Sequence, residues 1–331
     1  MPTRIAINGF GRIGRNILRA IIESGRTDLK VVAINDLAPV DNLAYLLQYE
    51  SVHGRFPTPV TTTDGGISIG EHIIPVTAER DPAELDWGGV DVALECTGIF
   101  KDRDTAGKYL TAGADKVLIS APGKAADRTV VFGVNDGALR PNDRIVSNAS
   151  CTTNCLAPVA QAIHQAFGIE DGLVTTVHAY TGSQPTLDRG AKAWERGRAA
   201  GVSMVPTSTG AAKAVGLVLP ELDGRLNGFA IRVPTPNVSC IDFTFTATKP
   251  LDRQAINHAL ADMAAQVPTV LGTSDAPLVS IDLNHDPRSA VVALPETHVQ
   301  GRIGRVLAWY DNEWGFSNRM GDVASVMGAL Q

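Results

Sequence analysis

The chain has 331 residues, of which 44% are hydrophobic and 19% charged, with a formal net charge of −6. That length exceeds one ordinary core and points to two domains of roughly 150 residues each. The acidic balance argues against nucleic acid as the main partner, though a local basic pocket for a small phosphorylated ligand stays open. No apolar run of about 18 residues offers a membrane span. Four cysteines are too few for a disulfide scaffold.

The opening segment, MPTRIAINGFGRIG, has no continuous apolar stretch of the signal-peptide kind and reads at once as folded structure, so the expected location is cytoplasmic. It predicts strand, tight turn and helix. RIAIN is the strand, and GFGRIG supplies Gly9, Gly11 and Gly14 in G-x-G-x-x-G spacing. Ile13, Ile17, Leu18 and Ile21 share one side of the helix. A second strand, LKVVAIND, ends in Asp36, 22 residues after Gly14. Gly9 makes the sharp turn, Gly11 admits a pyrophosphate close to the backbone, and Gly14 lets helix pack on strand. Asp36 can accept from a ribose diol. A carboxylate there repels a 2′-phosphate, and Leu37 offers no cation, so NAD is expected rather than NADP.

VDVALECTG and DKVLISAPG read as buried parallel strands. Thr97 and Ser120 follow them, where α/β sheets bind ligands; ordinary strand-terminating turns account for them equally. Arg80, in TAERDP, can stack on adenine or simply solvate a loop.

Residues 148–155 read NASCTTNC, before an apolar-periodic run, LAPVAQAIHQAF. Cys151 therefore opens a helix, where unpaired N–H groups and the helix dipole favour a thiolate. Position alone leaves open a nucleophile or a small residue in a turn. Cys151 and Cys155, with only His164 nearby, fall short of the four ligands of a closed zinc site, so no metal is expected.

Beyond Cys151 come long alternating stretches such as CIDFTFTAT and RIGRVLAWYDNEW, which predict a separate α+β domain with an antiparallel sheet. GLVTTVHAYTG places His178 at the end of a β-branched run. Paired with the thiol it could hold a thiolate and act as general acid or base. Arg232 lies among apolar neighbours and needs an anionic partner, either a protein carboxylate or a bound phosphate. Thr207, Ser208, Thr209 and Gly210 precede a helical run, as an anion site or an N-cap. The last amphipathic segment, FSNRMGDVASVMGAL, predicts a terminal helix.

Together these residues resemble the phosphorylating glyceraldehyde-3-phosphate dehydrogenases. The resemblance covers essentially the whole chain, through INGFGRIGR at 7–15, YESVHGRF at 49–56, SNASCTTNCLAP at 147–158, TSTGAAKAVGLVLPEL at 207–222, RVPTPNVS at 232–239 and WYDNEWGFSNR at 309–319. It implies an α/β Rossmann domain over residues 1–150, completed by a C-terminal helix at 315–331. An α+β catalytic domain with a mostly antiparallel sheet would occupy 151–314, and the assembly would be a homotetramer. It further implies that Cys151 attacks glyceraldehyde 3-phosphate to give a thiohemiacetal. Hydride then passes to NAD, and inorganic phosphate releases 1,3-bisphosphoglycerate from the thioester.

By the same resemblance His178 is the catalytic base, and Thr181 and Arg232 hold the substrate's C3 phosphate. Ser150, Thr152, Thr209 and Gly210, with Arg196, form the site for attacking phosphate. Asn312 orients the nicotinamide, and Arg12 and Ile13 offer backbone contacts to the pyrophosphate. Ser183 stands where family members commonly carry an acid. Two rivals remain: the related erythrose-4-phosphate dehydrogenase, which usually lacks the threonine–glycine pair of TSTGAAKA, and a non-catalytic NAD-binding protein.

Overall fold

The computed structural model describes residues 1–330 and divides the chain into two compact units. One comprises residues 1–149 together with the segment from Ser317 onward; the other comprises Ser150–Phe316.

The first unit is built on a nine-stranded sheet. Its strands are β1 (Thr3–Asn8), β2 (Leu29–Asn35), β3 (Val60–Thr63), β4 (Gly66–Ile69), β5 (His72–Thr77), β6 (Val92–Glu95), β7 (Lys116–Ile119), β8 (Arg128–Thr129) and β9 (Ile145–Ser147). Helices α1 (Arg12–Glu23), α2 (Val40–Gln48), α3 (Arg103–Ala106) and α4 (Lys108–Thr111) intervene. The spatial order is β3-β4-β5-β2-β1-β6-β7-β9-β8. From β5 to β8 every pairing is parallel, whereas β3, β4 and β5 form an antiparallel meander. The meander was not foreseen from sequence, because VTTT and GISI are short and only partly apolar.

The chain leaves β1 for β2 on one side and returns to β6 on the other. That reversal opens a crevice at the carboxyl ends of the strands, where α/β sheets hold ligands. All four residues of β6 and of β7 are buried, as the near-continuous apolar runs predicted. Val117 and Ile119 of β7 share one core cluster with Trp87 and Tyr109.

The second unit carries β10 (Ile169–Ala179), β11 (Val205–Ser208), β12 (Leu226–Val233), β13 (Ser239–Ala247), β14 (Leu271–Ser274), β15 (Ala290–Ala293), β16 (His298–Gln300) and β17 (Ile303–Tyr310). Seven of these run in the order β11-β12-β10-β13-β17-β15-β14, with β16 beside β17. The sheet is mostly antiparallel, with parallel pairs only at β10–β12 and β14–β15. Helices α5 (Cys151–Phe167), α6 (Ala211–Val218) and α7 (Arg253–Gln266) complete this unit; α5 packs against both other helices and against β13, β15 and β17.

The alternating pattern of β13, with Ile241, Phe243, Phe245 and Ala247 buried between half-buried Asp242, Thr244 and Thr246, matches the expected period of two. Helix α8 (Trp314–Ala329) closes the chain as predicted and buries Met320, Val323 and Met327. Lys116 Nζ donates to the Met327 and Leu330 carbonyls at 2.8 and 2.5 Å, which satisfies acceptors left over at a helix C-terminus.

Candidate active site

In the first unit Gly9 makes the tight turn and Gly14 the close helix approach that their spacing predicts. Gly9 has a φ of +89°, and a Cβ there would lie 2.7 Å from the Thr97 nitrogen. A Cβ on Gly14 would lie 2.2 Å from the Gly9 carbonyl oxygen, so helix and turn can approach only because it is absent. Gly11 instead borders open space and serves as N-cap of α1 without a side-chain cap. The first-turn N–H groups of α1, which include those of Arg12 and Ile13, are thereby presented as an anion cradle. The Arg12 side chain pairs with Glu50, tying the glycine loop to the YESVHGRF segment.

Asp36 lies one residue beyond β2. Its carboxylate accepts from the Phe10 and Ala38 N–H groups at 2.7 and 3.0 Å. It borders a cavity of about 550 Å³ also lined by Gly9, Gly11, Leu37, Arg80 and Thr97. A backbone cradle, a fixed carboxylate and apolar walls from Ile99 and Phe100 fit the adenosine and phosphate portions of NAD. Arg80 is exposed at the cavity edge. Ser120 follows β7 and donates its N–H to the Glu95 carbonyl at 3.0 Å.

Sequence reasoning missed Glu95. It is fully buried, and its carboxylate accepts from the hydroxyls of Thr97 and Tyr109 and from Gly98 N–H. Burial raises it above the usual carboxylate range against the pull of these donors. Because Thr97 gives its hydroxyl proton to Glu95, that hydroxyl can only accept from a bound ligand.

In the second unit Ser150 is the N-cap of α5 and accepts from Thr153 N–H at 3.1 Å. Ala149 just before it has a φ of +55°, a left-handed conformation uncommon outside glycine. Cys151 is thus the first helical residue, and its Sγ lies 3.5 Å from His178 Nε2. His178 is buried near the end of β10. Its Nδ1 lies 2.7 Å from both the Ala179 carbonyl oxygen and Arg232 Nη1. One nitrogen cannot donate to the carbonyl and accept from the guanidinium together. Donation to Ala179 leaves the Nε2 lone pair facing the thiol, whereas acceptance from Arg232 places a proton on Nε2.

Burial first, and the Arg232 charge second, push His178 down to about 3. Burial also pushes the Cys151 thiol up, and the charge on Arg232 opposes that rise without overcoming it. Burial thus opposes the pull that the helix start and the Arg232 charge exert toward a thiolate.

Arg232 has no carboxylate partner among the described residues, and its buried Nε has no hydrogen-bond partner. Of the two partners left open by the sequence, the protein carboxylate is therefore absent. A second basic group lies on the 181–209 segment. Arg196 donates to Thr207 Oγ1 at 2.9 Å and to Ser183 Oγ at 3.3 Å, and Ser183 Oγ is 3.2 Å from Thr181 Oγ1. Thr209 Oγ1 accepts from Ala211 N–H at 3.2 Å, and Gly210 caps α6.

Thr152 belongs to another cluster, because its hydroxyl lies 2.9 Å from Tyr310 Oη, which in turn is 2.8 Å from Thr176 Oγ1. Asn312 is buried, and its Oδ1 accepts from Ser239 Oγ at 2.8 Å. That contact leaves Asn312 Nδ2 as the donor end. Asp311 anchors the loop by accepting from the Glu313 and Trp314 N–H groups. Among the described residues no group of three or more His, Cys, Asp or Glu is placed to hold a metal ion.

A dinucleotide cradle joined in one chain to a histidine-paired thiol is the equipment of an NAD-dependent oxidoreductase that holds its substrate covalently. Comparison with known proteins makes the class narrower. Residues 3–103 match the family model for the glyceraldehyde 3-phosphate dehydrogenase NAD binding domain, and residues 150–312 match the one for its C-terminal domain. Curated glyceraldehyde-3-phosphate dehydrogenases of Cereibacter sphaeroides and Xanthobacter flavus are 58% and 59% identical, each over 100% of both chains. That of Pseudomonas aeruginosa is 54% identical over the same full span. The chain belongs to the glyceraldehyde-3-phosphate dehydrogenase family.

Proposed function

We propose that the chain oxidises D-glyceraldehyde 3-phosphate to 1,3-bisphosphoglycerate with inorganic phosphate, reducing NAD. The observation that carries this reading is the 3.5 Å approach of Cys151 Sγ to His178 Nε2 at the start of α5, in a chain of this family.

The residues divide the work by chemistry. His178 Nε2 accepts the thiol proton as Cys151 Sγ adds to the aldehyde carbon and returns it to the new alkoxide oxygen, giving a thiohemiacetal. His178 then takes the hydroxyl proton of that adduct as its carbon gives up a hydride. NAD, when bound, supplies the two-electron acceptor. The acyl group remains on Cys151 as a thioester, which keeps the free energy of oxidation available for transfer to phosphate. Phosphate attack completes the product and returns the thiolate.

Thr181 and Arg232 would hold the C3 phosphate, a role supported by the uncompensated guanidinium. Ser150, Thr152, Thr209 and Gly210, with Arg196, would hold the attacking phosphate. Gly9, Gly11, Arg12, Ile13, Gly14, Asp36, Arg80, Thr97 and Ser120 would hold NAD in the Rossmann domain of residues 1–150, completed by 315–331. Asn312 would orient the nicotinamide from the catalytic domain of 151–314.

The assembly is proposed to be a homotetramer in the cytoplasm. Leu173, Phe229 and Ile303 support self-association, because all three are exposed on one face of the second sheet. No described helix is long and apolar enough to cross a membrane. Steady-state NADH production from glyceraldehyde 3-phosphate, with and without inorganic phosphate, tests the reaction. Dependence on phosphate is expected, and equal rates would defeat it in favour of hydrolysis, as in erythrose-4-phosphate dehydrogenase. Sedimentation velocity tests the assembly.

A further inference from the structure

The strands β5, β2, β1 and β6 are neighbours in the first sheet, and their last residues are Thr77, Asn35, Asn8 and Glu95. Their side chains join sideways into one directed chain. Thr77 Oγ1 donates to Asn35 Oδ1 at 2.8 Å, and Asn35 Nδ2 donates to Asn8 Oδ1 at 2.7 Å. Asn8 Nδ2 donates to Tyr109 Oη at 2.5 Å, and Tyr109 donates to Glu95.

Both ends of this belt reach the cavity that borders Asp36. At one end Asn35 also holds the backbone N–H and carbonyl of Glu79, each at 2.8 Å, next to Arg80. At the other, Glu95 holds the Thr97 hydroxyl and, at 2.8 Å, Gly98 N–H. Glu95 has no cationic partner among the described residues, so only neutral donors compensate its burial. A carboxylate so placed contributes less to stability than an apolar residue of its volume could. Its distinctive effect is geometric: it fixes one cavity wall relative to the other.

We infer that Glu95 and Tyr109 are positioning residues for the dinucleotide, holding the Thr97–Gly98 wall of its cavity in register with the Glu79–Arg80 wall. This rests on the assignment of NAD as cofactor. Neither side chain needs to touch the ligand.

The test is a double-mutant cycle on NAD affinity, with Tyr109→Phe, Glu95→Gln and both together, measured by equilibrium titration. Tyr109→Phe removes only a hydroxyl and keeps the ring stacked on Trp87 at 5.6 Å. Each single variant is expected to raise the NAD Kd about five- to tenfold, the effect of one severed buried hydrogen bond. The double variant should raise it no further, because both changes cut the same link. Alkylation of Cys151 should proceed at the wild-type rate in all three, showing that the second unit is intact. Variants that bind NAD as wild type does, however far their melting temperatures fall, would overturn the inference, as would fully additive effects on Kd. A wild-type protein that failed to bind NAD would overturn it together with the cofactor assignment.

Discussion

Arg232 Nη1 lies 2.7 Å from His178 Nδ1 and 3.0 Å from the Ala179 carbonyl oxygen, so one guanidinium bears on the imidazole facing the nucleophile. With no carboxylate to compensate it, this cation is available to an anionic substrate group. Replacing Arg232 by leucine should raise the KM for glyceraldehyde 3-phosphate about 10- to 100-fold, the effect of losing a charge-assisted contact. An aldehyde without the phosphate should lose far less. Steady-state kinetics on both substrates checks this, and equal losses on the two would refute it.

His178 also predicts a dependence of stability on pH. Its imidazole titrates near 6.5 in the unfolded chain and about 3 in the folded one. Between those values the unfolded state binds the extra proton, so stability falls as pH drops below about 6.5 and is unaffected by this group above it. The slope is about 1.4 kcal/mol per pH unit for one proton. Urea unfolding at a series of pH values should show that slope in wild type, and His178→Asn should lack this share of it.

The glycine turn offers a steric test. Gly14→Ala would set a Cβ 2.2 Å from the Gly9 carbonyl oxygen, so helix α1 must move away from the turn. Loss of about 1–3 kcal/mol of stability is expected, the usual range for overpacking, together with at least tenfold weaker NAD binding. Calorimetry and NAD titration report the two effects, and an unchanged NAD Kd would contradict the cradle.

Asp36 is predicted to set the choice of dinucleotide. Asp36→Asn removes the charge that repels a 2′-phosphate and weakens the anchor on Phe10 N–H. NAD affinity should fall, and the NADP-to-NAD ratio of kcat/KM should rise at least tenfold. A ratio that stayed put would place cofactor discrimination elsewhere, for example at Arg80.

Much of this was legible in the residues themselves. The strand–turn–helix of the glycine motif, the helix beginning at Cys151, the strand ending near His178 and the closing helix α8 all follow from local pattern. Periodicity, capping and glycine conformation act over a few residues, and these signals are complete within the segment that carries them. The resemblance to a known family likewise rests on short contiguous motifs.

What the sequence could not supply was any relation between segments far apart in the chain. Cys151 and His178 are 27 residues apart, and only the packing of α5 against β10 brings sulfur within 3.5 Å of nitrogen. Nothing within VDVALECTG singled out Glu95, whose partner Tyr109 lies 14 residues further along the chain. In hindsight the signal was that four parallel strands end in Thr, Asn, Asn and Glu. The directions in which the thiol and imidazole are shifted were also set by tertiary structure. Desolvation depends on everything packed around a group, and no local pattern of residues encodes it.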